Sequence, residues 1–178
     1  MINEFSVSPR PSNNKGRNLF FVFLTLAAAT AVAYISVPMY KGVVGMVCLL
    51  LIVAAIYVYN RYMGMKYYYD VMIDSSDTPL FIVRSAMGKR ESTLCRVELS
   101  SIVSVKRFTA DELKNHKAPD GYVRYFYNPT LSPESVCIVT TVTRFERAEI
   151  TIEANDDFIN ILSAYAREAR EAFPADEE

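Results

Sequence analysis

The residues best suited to chemistry in this 178-residue chain are basic. Arg84, Lys89, Arg90 and Arg96 fall in one stretch, "RSAMGKRESTLCR", and Lys106 and Arg107 follow shortly after. Clustered cations near a bilayer gain about 1 kcal/mol each from anionic lipids, which makes the first four candidate headgroup contacts. Glu91 and Glu98 intervene, and charges on a hairpin turn ordinarily stay in water. The plain expectation is therefore that Gly88-Lys89 is a solvated corner of a sheet.

Two other groups of residues are weaker. His116 is the single histidine, in "DELKNHKAPDG", with Asp111, Glu112 and Asp120 nearby. A base or metal ligand can be drawn from that set, but one histidine among scattered carboxylates on a polar loop is expected to be solvated. Cys48, Cys95 and Cys137 are three in number and form no CxxC pair, so they read as buried reduced thiols rather than a disulfide framework or a zinc site. No GxSxG, HExxH, phosphate-cradling GxxxxGK[ST] or GxGxxG is present. These readings predict no enzyme, no cofactor and no metal. Nucleic acid is disfavoured as well: after Asn60 there are 15 Lys+Arg against 19 Asp+Glu, a net of −4, where such a domain is usually basic. "YVRYFY", around Arg124, alternates like a strand and is assigned to sheet packing.

Two apolar runs stand ahead of these residues. Asn18 to Tyr40 and Gly42 to Asn60 carry no charge, and only Lys41 separates them. Each is about the 20 residues a helix needs to cross a hydrocarbon core. Pro38 and Gly42 suit a tight reversal. Folding the chain near Tyr40 sets Ala31 near Cys48, Ala28 near Leu51 and Ala27 near Ile52, small residues against larger ones. Arg10, Lys15, Arg17, Arg61 and Lys66 flank the runs, so the positive-inside rule places both termini in the cytoplasm and the protein in the cell (inner) membrane. Residues 1–17 form a flexible tail on this reading, and residues 18–64 a transmembrane hairpin.

Residues 65–173 follow as one cytosolic domain, with 174–178 an acidic tail. Period-2 patterns mark seven strands: "KYYYDVMI", "LFIVRSA", "ESTLCRV", "SIVSVKRF", "GYVRYFY", "VCIVTTVT" and "AEITIEA". In the last, Ile150 and Ile152 face one way and Glu149, Thr151 and Glu153 the other. Thr109 to Asp120 is a polar insert. A helix begins at Asn155 or Asp156, with Phe158, Ile161, Leu162, Tyr165, Ala169 and Phe173 as its apolar stripe and Pro174 as its stop.

Seven strands followed by one amphipathic helix is the order of a pleckstrin-homology (PH) fold. "STLCRVELSSIVSVKRF", with Leu99, Ile102 and Val105, and "AEITIEANDDFINILSAYA" resemble the corresponding parts of bacterial PH-like domains, in which a membrane hairpin often comes first. The resemblance implies an α+β domain: seven antiparallel strands in a bent sandwich or barrel, capped by the C-terminal helix. It also implies a non-enzymatic module presenting a cytosolic domain to a protein or peptide partner, or to another copy of itself. PH-like folds often take peptides along a sheet edge or beside the helix, which nominates Val136, Ile138, Thr140, Asp156 and Ile159 as a partner groove. The alternatives are a sensor of anionic lipid headgroups and an accessory subunit of a membrane transport or envelope complex.

Overall fold

The computed structural model describes residues 4–36 and 40–172. The expected roles of Pro38, Phe173 and Pro174, and the acidic tail, lie outside the described residues.

Helix α1 spans Lys15–Ser36 and α2 spans Lys41–Tyr59, continued by a π-helical turn over Asn60–Gly64. At 22 and 24 residues the two helical segments are long and apolar enough to cross a membrane. Phe21, Leu24, Ile35, Leu49, Val53 and Ile56 all point away from the protein, a surface too apolar to be left in water. The helices lie side by side. Phe20 packs on Tyr59 with ring centroids 5.7 Å apart, and a Cβ built on Gly45 would sit 3.3 Å from the Tyr34 ring. A Cβ on Gly16 would come within 2.8 Å of the Tyr62 Cβ, so the helices touch closely where the chain enters and leaves the hairpin. In mid-span the Cys48 thiol reaches the Ala27 carbonyl at 3.5 Å, one turn from the Ala31 that the fold-back placed opposite it.

All seven expected stretches form strands: β2 Met65–Ile73, β3 Pro79–Met87, β4 Arg90–Glu98, β5 Ile102–Thr109, β6 Val123–Phe126, β7 Ser135–Val142 and β8 Arg147–Ile152. The count is eight among the described residues, because Phe5–Val7 adds strand β1. These residues were assigned to a flexible tail, yet they pair antiparallel with β2, Phe5 opposite Val71 and Val7 opposite Tyr69. Phe5 stacks on Phe158 at 5.8 Å, Ser6 Oγ bonds Asp70, and Ser8 Oγ donates to the Tyr67 carbonyl. Those contacts offset the entropy of ordering a short polar segment.

The strands form two four-stranded sheets, ordered β1-β2-β3-β4 and β5-β7-β8-β6. Not every pair is antiparallel. β6 lies beside β8, not β7, and runs parallel to it, because β7 intervenes in the chain and reverses direction once on each side.

Tyr69, Phe81, Val83, Leu99, Ile102, Val139, Ile150 and Ile152 fill the space between the sheets. Helix α4, Asp156–Ala172, closes it with Phe158, Leu162, Ala166 and Ala169, which recur at the spacing of one helical face. Ala166 completes a stripe in which Ile161 is only half-buried. Asn155 Oδ1 caps the helix by accepting from the Phe158 N–H at 3.1 Å.

The insert after β5 folds into helix α3, Ala110–Asn115, whose first turn is held by a capping box between Thr109 and Glu112. With His116 at its end, it lies over the face of the second sheet that carries Phe108 and Glu149. Glu149, Thr151 and Glu153, expected on the face opposite Ile150 and Ile152, are buried; the insert covers Glu149, and the N-terminal segment meets Glu153 through Ser12.

Candidate functional site

The β3–β4 turn sits at the end of the helical hairpin. Met65 is the first residue after the π-turn; it pairs with Met87, and Met87 pairs with Arg90. Neighbouring strands are about 4.8 Å apart, so two strand spacings, roughly 10 Å, separate Arg90 from the exit of the second apolar helix. Gly88 turns the chain with φ of 63°, a conformation that costs glycine nothing. Lys89 and Arg90 are exposed and have no ion-pair or hydrogen-bond partner among the described residues. Lys66, next to Met65 on β2, is likewise exposed and unpaired.

The other candidate cations are already committed. Arg84 Nε lies 2.5 Å from Asp70, whose side chain is 2% exposed, and Arg84 Nη1 lies 3.2 Å from Glu91. Its guanidinium also stands 5.8 Å over the Tyr68 ring. The hydrogen bond to Asp70 raises the Arg84 pKa further above its already high ordinary value. Arg96 pairs with Asp74 at 2.6 Å; the Ser75 backbone N–H and then Arg96 hold that carboxyl below its usual range. Arg107 pairs with Asp156. Of the four expected headgroup contacts, Lys89 and Arg90 remain available, while Arg84 and Arg96 serve the sheet. Glu91, which interrupts the basic run in the sequence, shares the Arg84 guanidinium with Asp70, so its charge is only partly offset.

Arg61 and Lys66 flank the second apolar run in the sequence, and the structure gives each a place of its own. Arg61 Nη2 donates to the Phe126 carbonyl at 3.1 Å, and Nη1 donates to the Asn128 carbonyl at 3.4 Å and bonds the Tyr67 hydroxyl. One side chain at the hairpin's end thus ties it to β2 and to the end of β6. Strand register brings Lys66 to the turn; its place directly after the second apolar run was the one signal available earlier.

The expected partner groove is not open. β7 is paired on both sides, by β5 and β8, so it offers no backbone edge. Val136 and Ile138 are buried, Thr140 accepts from Ser104 Oγ at 3.1 Å, and Asp156 holds Arg107. Ile159 packs against the core.

His116 is also placed differently from the expectation. Its side chain is 19% exposed, and Nε2 lies 3.0 and 3.1 Å from the two Glu149 oxygens. Arg124 Nε donates to the same carboxylate at 3.0 Å, and Arg124 Nη2 to the His116 carbonyl at 3.1 Å. Each polar group finds its partner within the network, which fastens the insert to β8 and β6. Burial pushes the Cys95 thiol up to about 11 and the Cys137 thiol up to about 12, so neither supplies a thiolate near neutral pH. No group of three potential metal ligands occurs among the described residues.

Two open depressions stand out among the described residues. One, of about 320 Å³, is lined by Asp74, Thr78, Leu80, Arg96 and Glu98. The other, of about 340 Å³, lies between the N-terminal segment and the β8–α4 junction. In it Glu153 Oε1 accepts from the Ser12 N–H at 3.2 Å, and the buried Oε2 has no hydrogen-bond partner among the described residues. No protein-family model, curated protein or solved structure matches the chain.

Proposed function

We propose that the chain is a non-enzymatic, membrane-anchored interaction module, in which a PH-like domain rests on the anionic headgroups of the leaflet its hairpin leaves. Lys66, Lys89 and Arg90 make the contact. The observation that carries this reading is the register Met65–Met87–Arg90, which sets two unpaired cations beside the exit of the second apolar helix. Arg10, Lys15, Arg17, Arg61 and Lys66 against Lys41 favour the cytoplasmic leaflet of the cell membrane. The PH-like reading draws support from the β2–β3–β4 meander, the second sheet and the closing helix; β1, the α3 insert and the parallel β6 are departures from it.

Since the hairpin already anchors the protein, these cations orient the domain and report headgroup charge rather than recruit it. The test is hydrogen–deuterium exchange of the full-length protein in nanodiscs. Amides of residues 87–91 are expected to be protected in discs containing anionic lipid, less so in neutral discs or at high salt, and not in the Lys89→Ala/Arg90→Ala variant. Equal exchange in neutral and anionic discs overturns the lipid reading.

A second reading, a platform for a protein partner, is favoured by one observation. β4 is the outer strand of its sheet and is exposed along most of its length, so its free backbone edge suits an added peptide strand. Recovery of a stoichiometric partner from mild detergent, lost on Thr93→Pro, would support it.

A further inference from the structure

The β7–β8 turn, Thr143 to Glu146, holds the most exposed large apolar side chain of the domain. Phe145 is 98% exposed. The turn is not loose: the Thr143 N–H donates to the Glu146 carbonyl at 2.9 Å, and the Glu146 N–H donates to Thr143 Oγ1 at 3.0 Å. The Tyr125 hydroxyl braces it by donating to Glu146 at 2.7 Å, and Tyr125 is stacked on Tyr127 at 6.0 Å. An aromatic ring is thus held out in water on a fixed support. Arg144 and Arg147 flank it, both exposed and without partners among the described residues.

The surface beside this turn leads back to the hairpin. β6 is the outer strand of the second sheet. Val123 lies opposite Ala148, just past the turn, and Phe126 at the other end gives its carbonyl to Arg61 at the end of the helices. Val123 and Phe126 are both about half exposed. β6 therefore joins the turn to the hairpin, with Val123 on one face and Phe126 on the other, and with cations at both ends.

We infer that this turn is a membrane-insertion tip: Phe145 enters the interfacial region of the leaflet that the hairpin crosses, while Arg144 and Arg147 bind anionic headgroups around it. The inference rests on the reading that α1 and α2 span a bilayer. A leaflet supplies apolar cover and negative charge together, and it is continuous with the hairpin to which β6 is tied. Aromatic rings with an adjacent cation suit that interface. A second attachment, separate from Lys89 and Arg90, fixes the domain's tilt as well as its height.

The chain has no tryptophan, so Phe145→Trp creates a single reporter at a site where the ring touches almost nothing and the fold is unaffected. Full-length protein carrying it is reconstituted into phosphatidylcholine vesicles, with or without phosphatidylglycerol and with spin-labelled acyl chains as quencher. In anionic vesicles the emission is expected to shift to the blue and be quenched by the labelled lipid. Replacing either Arg144 or Arg147 with Ala lowers the inserted population roughly fivefold, the factor one cation is worth at an anionic surface. Leu49→Trp, in mid-α2, reports on the hairpin separately. If Leu49→Trp is quenched and Phe145→Trp emits as an indole in water, the hairpin stands and the insertion is overturned. If neither is quenched, the spanning reading fails and the insertion falls with it. An indole that stays in water beside vesicles and is covered only when other proteins are added assigns the tip to a protein partner, which also overturns the insertion.

Discussion

Arginine residues a few positions apart do different work here because of what lies opposite them. Asp70 is buried on β2, and a buried carboxylate without a counter-charge is costly; Arg84 and Ser6 meet that need. Arg90 meets no carboxylate and projects from a turn. The two positions should separate in the laboratory. Arg84→Ala leaves Asp70 with only Ser6 and is expected to destabilise the domain by about 2–3 kcal/mol, the low end for a broken buried pair because Arg84 is partly solvated. Lys89→Ala/Arg90→Ala should stay within about 0.5 kcal/mol of the parent, as surface changes do, while removing the charge dependence of the turn's exchange. Urea titration of the full-length protein in micelles checks both. Equal losses from the two changes would mean that the turn, too, is part of the structural charge network. None of this division was legible in the sequence, where Arg84, Lys89, Arg90 and Arg96 form one basic run; partners remote in the chain decide it.

At the scale of elements, long patterned segments were legible and short or doubly covered ones were not. The strands from β2 to β8 announced themselves by alternation, and α4 by its stripe and its cap at Asn155. β1 has three residues, too few for a period, and exists because Phe5 finds Phe158 across the molecule. The insert was the harder miss. Its capping box, "TADE" at Thr109 to Glu112, was a usable local signal for α3, but nothing local shows that His116 would cover Glu149 on β8. That cover explains why Glu149 is buried, while Ser12 of the N-terminal segment meets Glu153 at the far end of the same face. His116→Ala removes one of two side-chain partners from a buried carboxylate, and is expected to cost about 1–3 kcal/mol and to raise amide exchange through residues 110–122. Exchange unchanged there would show that α3 is held without His116, by the Thr109–Glu112 capping box among other contacts. Acid should loosen the same element. The Thr109 backbone N–H holds the Glu112 carboxyl below its usual range, and Lys114 does the same for Asp111. Stability from a lowered carboxyl is present above its unfolded pKa and lost as pH falls through the folded one. Protection of the insert should therefore fade below about pH 4.5, the ordinary value for Glu112.

For the whole molecule, the decisive feature is that an apolar helical hairpin is joined to a two-sheet domain whose interior holds titratable groups. Arg61 and the π-turn join the hairpin to β2 and β6, directly beneath a core that contains protonated acids. The Tyr69 hydroxyl donates to the Tyr127 carbonyl at 2.7 Å and accepts from the Glu153 N–H at 3.2 Å, linking β2, the segment after β6 and the end of β8. Burial raises the Tyr69 pKa well above its ordinary 10.0 and pushes Tyr127 up to about 12. Cys95 and Cys137 rise from 9.0 to about 11 and about 12. In each case the folded protein keeps a proton that the unfolded chain gives up. Between the unfolded and folded values the unfolded state binds fewer protons, so stability falls as pH rises. The loss begins near pH 9, where unfolded cysteines ionise, steepens near pH 10 with the tyrosines, and levels off only above the folded values. Urea midpoints of the full-length protein in nanodiscs, followed by tyrosine circular dichroism, should decline across that window. The groups that burial holds protonated, Tyr69, Cys95, Tyr127 and Cys137, all lie in the domain, so the decline belongs to the domain and should leave the helical signal of the hairpin in place. Cys137→Val keeps the buried volume and removes one titrating group, which should flatten the curve by up to about 1.4 kcal/mol per pH unit in the window between the thiol's unfolded and folded values. Midpoints that hold steady to about pH 11 would mean that these thiols and phenols reach water in the folded state, and that the two sheets do not close over a dry core.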